Sequence, residues 1–341
     1  MLYLEQRKIQ KVGKSTLSVS LPKYWAHIEG VKQGDTVYLD RGRNGALRIL
    51  SKDIVEKEEK QKEYHINCDM IKEPNLLERL IIGSYLLGVN TIKIFSSTRI
   101  NSKQMEEIRN ITHRVVGLNI IEESQKEIHL QCFIDPLKLS IYPLMKRLSV
   151  ITSTMLNESM EALLKINPQL ANDVIKREDE ANNIYWLITR LIISAQSSQT
   201  IAKKMGLHFS PIGFRLISKN LERIADCSDN IAKIALNLYR TKNTIDEREI
   251  ETLMALNQLT KEVFQKAVDA LFSRDMNAAN EAINLRTKLD AEVEIQMNKT
   301  IVPYLSTIAI TLSMIAENSA SIAAVALNIE INKSNSFPNT T

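Results

Sequence analysis

Two stretches of this chain, 108 residues apart, carry the same pattern. Met160-Glu-Ala-Leu-Leu-Lys165 precedes a break and then Ala171-Asn-Asp-Val-Ile-Lys-Arg-Glu-Asp-Glu-Ala-Asn182. Val268-Asp-Ala-Leu-Phe-Ser273 precedes Ala279-Asn-Glu-Ala-Ile-Asn-Leu-Arg-Thr-Lys-Leu-Asp290. A third pair follows: Leu221-Glu-Arg-Ile-Ala-Asp-Cys-Ser-Asp-Asn-Ile-Ala232 against Leu312-Ser-Met-Ile-Ala-Glu-Asn-Ser-Ala-Ser-Ile-Ala323. A repeat of this kind is a supersecondary unit that buries its apolar stripe only against a neighbour. Residues 137–332 are therefore expected to be six long helices in two three-helix units. The breaks fall at Pro168, Gly206–Pro211, Lys242–Thr244, Asp275 and Pro303. Ser210-Pro211 reads as a serine N-cap followed by proline at the first helical position. On the third helix Leu216, Leu221, Ile224, Ile231 and Ile234 recur at threes and fours, the spacing of a buried face.

Glycine and charge divide the chain further. Five of the ten glycines lie in residues 1–52, and only Gly206 and Gly213 follow residue 117. The same first 52 residues hold ten Lys/Arg against four Asp/Glu, a net +6, whereas the rest nets −2. The head reads as strands and tight turns: a strand ending at Gly13-Lys14, a second through Leu17, Val19 and Leu21, a short helix opened by Pro22 and stopped by Gly30, then two strands joined at Asn44-Gly45. Residues 53–63 are a charge run, read as a solvated linker. Residues 64–136 read as a small α/β unit, with Ser102 as the expected N-cap of its second helix. Residues 333–341 are expected to be a disordered tail. The fold class is α+β multidomain: a β head, a small α/β middle unit and a six-helix bundle.

Thr300–Ile329 carries one charge, Glu317, so a membrane span has to be weighed. Pro303, Asn318, Asn328 and the lack of a basic flank favour a buried bundle helix and no membrane insertion. Three separated cysteines, Cys68, Cys132 and Cys227, fit neither a disulfide framework nor a zinc pair and suit a cytoplasmic location. The opening Met1-Leu-Tyr-Leu-Glu-Gln-Arg7 reads as an alternating strand and not as a signal peptide. His65, His113 and His129 are expected to be structural. No Ser/His/Asp or Cys/His arrangement stands out. A di-iron oxidase would need Glu-x-x-His motifs on its helices, and no histidine follows His208. An enzyme is not expected.

The string Lys8-Ile-Gln-Lys-Val-Gly-Lys-Ser-Thr-Leu-Ser-Val-Ser-Leu-Pro22, with Gly30-Val-Lys-Gln-Gly-Asp-Thr-Val37 after it, resembles the AbrB/SpoVT swapped-hairpin domain. The helical half resembles the PhoU family, through Asn220–Ala232 and the tandem repeat. Together they look like archaeal PhoU-type regulators with an AbrB-like head. The resemblance implies a swapped-hairpin barrel in a homodimer formed through the N-terminal domain, duplex DNA as a partner, and control of phosphate uptake through a phosphate transporter or sensor kinase. The basic residues expected to meet DNA phosphates are Arg7, Lys8, Lys11, Lys14, Lys23, Arg41 and Arg43. The alternative is an adaptor that binds no DNA and whose head only dimerises.

PhoU proteins carry Glu/Asp-x-x-x-Asp motifs, and members bind iron or zinc clusters through them. Carboxylates at i and i+4 share a helical face, so they can share a cation. Here the motif is complete once, at Glu222/Asp226. Glu178/Asn182, Arg286/Asp290 and Ser313/Glu317 each keep one carboxylate. The resemblance thus implies Glu178, Glu222, Asp226 and Asp229 as first-half ligands and Asp290 and Glu317 as second-half ligands. The competing reading pairs Glu222 with Arg223 or Lys219 on the solvent face.

Overall fold

A computed structural model describes residues 5–41, 46–53, 63–197, 199–207, 211–299 and 303–335. The chain separates into two compact units, Met1–Glu63 and Tyr64–Thr341.

In the first unit β1 (Gln10–Val12) pairs antiparallel with β2 (Thr16–Ser18) across a turn in which Gly13 takes a positive φ of 67°. Pro22 opens α1 (Lys23–Ile28), and β3 (Tyr38–Arg41) pairs antiparallel with β4 (Leu47–Leu50). The expected barrel is not formed within the single chain: these strands make two separate two-stranded sheets. Among the described residues of this unit only Ser51 is buried. Ile9, Val12, Leu17, Val19, Tyr24, Ile28, Tyr38, Leu39 and Leu47 are 44–77% exposed. The alternation legible in the sequence is there, but one chain offers it nothing to pack on. The proposed hairpin at Asn44-Gly45, most of the 53–63 charge run and Arg43 lie outside the described residues.

The second unit opens with a four-stranded sheet in the order β5 (Glu63–Asn67), β6 (Thr91–Phe95), β8 (Glu127–Cys132), β7 (Leu118–Glu123). β8 is antiparallel to both neighbours, with a bulge in β7 between Ile120 and Glu122. Alternate residues Ile92, Ile94, Ile128 and Leu130 are fully buried with Leu77 and Ile81 of α2 (Leu76–Leu86) and Ile108 and Ile111 of α3 (Ser102–Arg114). The cap of α3 is Asn101 and not Ser102: its side chain accepts from Gln104 N while the Gln104 side chain accepts from Asn101 N. That reciprocal pair satisfies two amides that a helix start leaves open.

The bundle follows: α4 (Ile141–Leu164), α5 (Pro168–Ser197), a short α6 (Gln199–Lys204), α7 (Pro211–Thr241), α8 (Glu247–Ser273), α9 (Met276–Lys299) and α10 (Pro303–Asn335). The repeat is visible in its caps. Asn167 Oδ1 accepts from the amides of Gln169 and Leu170 at the start of α5. Asp275 Oδ1, 108 positions on, accepts from Asn277 and Ala278 at the start of α9. Just before each cap the backbone turns left-handed, at Ile166 (φ 45°) and Arg274 (φ 58°). Between the second and third helices the offset falls to 91, because the first repeat carries α6 there. Leu221, Ile224 and Ile231 of α7 are fully buried, whereas Leu216 is half exposed.

Two features depart from the sequence reading. The change of architecture near residue 136 is not a break between compact units, since Ile134 and Trp186 pack against both the α/β core and the bundle core. α10 also continues through residues 333–335, expected to be disordered; residues 336–341 lie outside the described residues. Among the described residues one helix, over Pro303–Ile331, is long and apolar enough to cross a membrane. Its most apolar window is 61% buried inside the bundle, as in the core helix of a globular protein.

Candidate functional site

The acidic residues singled out in the first repeat do come together. Glu222, Asp226 and Asp229 fall at i, i+4 and i+7 on α7, and so on one face. That face packs against α5, which supplies Glu178. Glu222 and Asp229 are only 7% and 6% exposed, unusual for carboxylates and tolerated only with partners. Lys219, one turn before Glu222, donates to both of its carboxylate oxygens at 2.5 and 2.7 Å. Lys233, one turn after Asp229, donates to Asp229 Oδ2. Asp229 Oδ1 is buried without a hydrogen bond. Asn182 donates to Glu178 Oε1. Of the two pairings foreseen for Glu222, Lys219 is the one formed, on a buried face and not a solvated one.

The electrostatics follow from crowding. Burial pushes the Asp226 carboxyl up to about 6, reinforced by Glu222 and opposed by Lys219, with Glu178 and Asp229 adding to the rise. Burial likewise raises Glu178, against the hydrogen bond from Asn182. Lys233 is held above its ordinary value, first by its bond to Asp229.

The second repeat builds a different arrangement at the matching place. Asp290 forms an ion pair with Arg286, 2.7 Å from Nε, and accepts from Ser313 Oγ at 2.8 Å. Glu317, one turn beyond Ser313, is exposed. Among the described residues no three His, Cys, Asp or Glu side chains form a group able to hold a metal ion. Of the six carboxylates the metal reading named, three are met by a cation: Glu222 by Lys219, Asp229 by Lys233 and Asp290 by Arg286.

Of the basic residues assigned to DNA, Arg7, Lys8, Lys11, Lys14 and Lys23 are exposed, on or beside β1, its turn and α1. Arg7 is engaged by Glu5. Arg41 ends β3.

Sequence reasoning missed two arginines that fasten the α/β layer to the bundle. Arg190 on α5 is 2% exposed. Its Nη1 donates to the carbonyls of Tyr85 (2.7 Å) and Val89 (2.8 Å), and its Nη2 to Asn90 Oδ1 (2.7 Å). The guanidinium lies 4.9 Å from the centre of the Tyr85 ring. It thereby serves carbonyls at and beyond the C-terminus of α2, the end that favours a cation. Arg114, ending α3, pairs with Glu78 of α2 and Asp179 of α5 and stacks on Trp186. The one available signal was an arginine inside an otherwise apolar run, Trp186-Leu-Ile-Thr-Arg-Leu-Ile-Ile193. His129, expected to be structural, lies between Glu122 (2.9 Å) and Glu127 (2.7 Å) on the sheet.

The comparisons with known proteins bear on the bundle. The search of curated proteins returned no match. Among solved structures, the crystal structure of PhoU from Pseudomonas aeruginosa is similar, with 18% identity, a TM-score of 0.46, and coverage of 56% of this chain and 92% of that one. Residues 145–235 match the PhoU domain. That span runs from within α4 through α5 and most of α7, so a PhoU domain lies in the C-terminal half and coincides with the first three-helix repeat.

Proposed function

We propose that this protein is a non-enzymatic, phosphate-responsive regulator of phosphate uptake. In this reading the bundle acts on a phosphate transporter or sensor kinase, and the head binds duplex DNA as a dimer with interleaved hairpins. The observation that carries the first part is the PhoU domain over residues 145–235. The head is argued separately. Seven large apolar side chains stand exposed on or beside two short hairpins and two more, Tyr24 and Ile28, on α1, and a two-stranded hairpin is at best marginally stable alone. Such a surface calls for a partner. A second copy supplies matching strands in fixed register, and its basic residues double the charge offered to a phosphate backbone. The proposed phosphate contacts are then Arg7, Lys8, Lys11, Lys14, Lys23, Arg41 and Arg43.

The test uses the full chain. Sedimentation gives its oligomeric state, and fluorescence anisotropy gives its affinity for duplex DNA across a salt series. For six to eight phosphates neutralised, the log–log slope is expected at roughly −5 to −7. Lys11→Glu with Lys14→Glu should collapse binding and leave the dimer intact. A flat salt dependence, in a protein that is still dimeric, would leave the adaptor reading in place and remove the DNA-binding one. Equal promoter occupancy in phosphate-rich and phosphate-starved cells would remove the phosphate response.

A further inference from the structure

We infer that Lys219, Lys233 and Arg286 are the bundle's own cations: they neutralise Glu222, Asp229 and Asp290 in its acidic seams, so that both repeats fold and work without a divalent metal. The inference concerns only the bundle and stands whether or not the head binds DNA.

The two repeats make the case together, since each solves the same problem with different residues. With the caps aligned, Glu178 of α5 corresponds to Arg286 of α9, and Asn182 to Asp290. Both i, i+4 pairs are in contact, one as a hydrogen bond and one as an ion pair: Asn182 donates to Glu178, and Arg286 lies against Asp290. The acid has moved one turn along the helix, and a fixed positive charge stands where the first repeat has its carboxylate. On the third helices Glu222 corresponds to Ser313. Ser313 donates to Asp290, so the second seam closes with one arginine, one hydroxyl and one carboxylate.

In the first repeat the cations are lysines. Lys219 takes both oxygens of Glu222, and its ammonium sits 5.1 Å from the centre of the Tyr185 ring, a cation–π contact that helps hold it in place. Lys233 takes one oxygen of Asp229. A divalent cation needs several carboxylate oxygens free and converging. To bind through Glu222 or through Oδ2 of Asp229 it must first expel an ammonium group from a carboxylate that is more than nine-tenths buried, and breaking a buried pair is costly. In the second repeat it must approach a guanidinium that cannot lose its proton.

The experiment is metal loading of the full chain. Purified without chelator, dialysed against EDTA and then offered Zn²⁺, Fe²⁺ or Mn²⁺ separately, the protein is expected to retain only traces by elemental analysis. Its thermal midpoint should be unchanged by metal or chelator. Lys219 and Lys233 have side chains 39% and 58% exposed, so Lys219→Gln with Lys233→Gln is a mild change. By releasing the two carboxylates Glu222 and Asp229 beside Glu178 and Asp226, it should gain affinity for at least one of the three ions by at least about tenfold, read as retained metal and a raised midpoint. Saturable metal on the unaltered protein, raising its midpoint and lost in Glu178→Gln with Asp229→Asn, would overturn the inference. So would a folded double-lysine variant that still takes no metal. Should that variant fail to fold, Arg286→Gln applies the same gain-of-metal criterion to the second seam, and the unaltered protein's midpoint with and without metal decides the first.

Discussion

The two three-helix repeats begin alike and are finished differently. Their second helices start from the same kind of cap, 108 positions apart, after the same left-handed turn. Beyond that point the outer faces diverge. Trp186 of α5 packs against both cores, whereas its counterpart on α9, Glu294, is exposed. Arg190 corresponds to Asn298. Among the described residues Trp186, Arg190 and Asp179 of the first repeat meet the α/β layer, and the first repeat carries α6 between its second and third helices. The two repeats thus share a scaffold, and a few residues on one helix separate an exposed face from a docking face.

The largest consequence is at that docking face. Arg190→Leu keeps most of the volume but removes the donors that serve Tyr85 O, Val89 O and Asn90 Oδ1. Buried acceptors left without partners, together with the loss of the guanidinium that serves them through Nη1 and Nη2, are expected to cost about 3–5 kcal/mol in denaturant unfolding of the full chain. Glu294→Ala, at the matching exposed place of the second repeat, should change stability by less than about 0.5 kcal/mol. A cost below about 1 kcal/mol for Arg190→Leu would mean that the α/β layer is held by packing alone, and the contrast between the repeats would lose its main support.

A smaller effect separates the seams. The Asp226 carboxyl is pushed up to about 6 in the folded protein, from an ordinary 3.8. The unfolded chain therefore gives up this proton first as pH rises. Stability from the group is complete below the unfolded value and is lost as pH rises through the folded one. Asp226→Asn imitates the protonated form. It should be nearly neutral at pH 4 and stabilising by about 1–2 kcal/mol at pH 8, after allowance for partial solvent screening. Glu317→Gln, at the corresponding exposed position, is the reference variant. Stability against denaturant at the two pH values, for both variants, measures the difference. Equal behaviour would mean that the first seam is no more crowded than the second.

What could be read in advance follows the range of the forces involved. The breaks at Pro168 and Asp275 were legible because a helix start is a local matter, and the caps found there, Asn167 and Asp275, act on amides two and three residues away. Asn101 was overlooked in favour of Ser102 for the same reason, since both residue types cap well and the reciprocal bond with Gln104 decides between neighbours. The bond from Arg190 to Tyr85 spans 105 residues and ends on neutral carbonyls, and no charge pattern points to a carbonyl. Glu222 with Lys219 and Asp229 with Lys233 have the spacing of ordinary solvated helix pairs. Only the packing of α5 over α7 shows that these carboxylates are buried. In the head the alternation was read correctly as strands. Whether those strands close into a barrel depends on chains beyond one copy, and within this copy they form two separate sheets.

The smallest prediction concerns the shared caps, where the repeats should agree. Asn167 Oδ1 accepts at 3.1 and 3.2 Å, and Asp275 Oδ1 at 2.9 and 3.1 Å. Truncating either to alanine leaves two amides at a helix start with only water as a partner, at about 1 kcal/mol each. The two differ in charge. Asp275 places a carboxylate at the positive end of α9, which adds about 0.3–1 kcal/mol at low salt. Asp275→Asn should remove that increment alone and bring the second cap level with the first. Raising salt should shrink the gap between Asp275→Ala and Asn167→Ala by screening the charge and leave the hydrogen-bond part untouched. Unequal losses that persist at high salt would show that the two starts, matched in sequence and in backbone, carry different loads, and that the duplication has been remodelled at its caps as well as on its outer face.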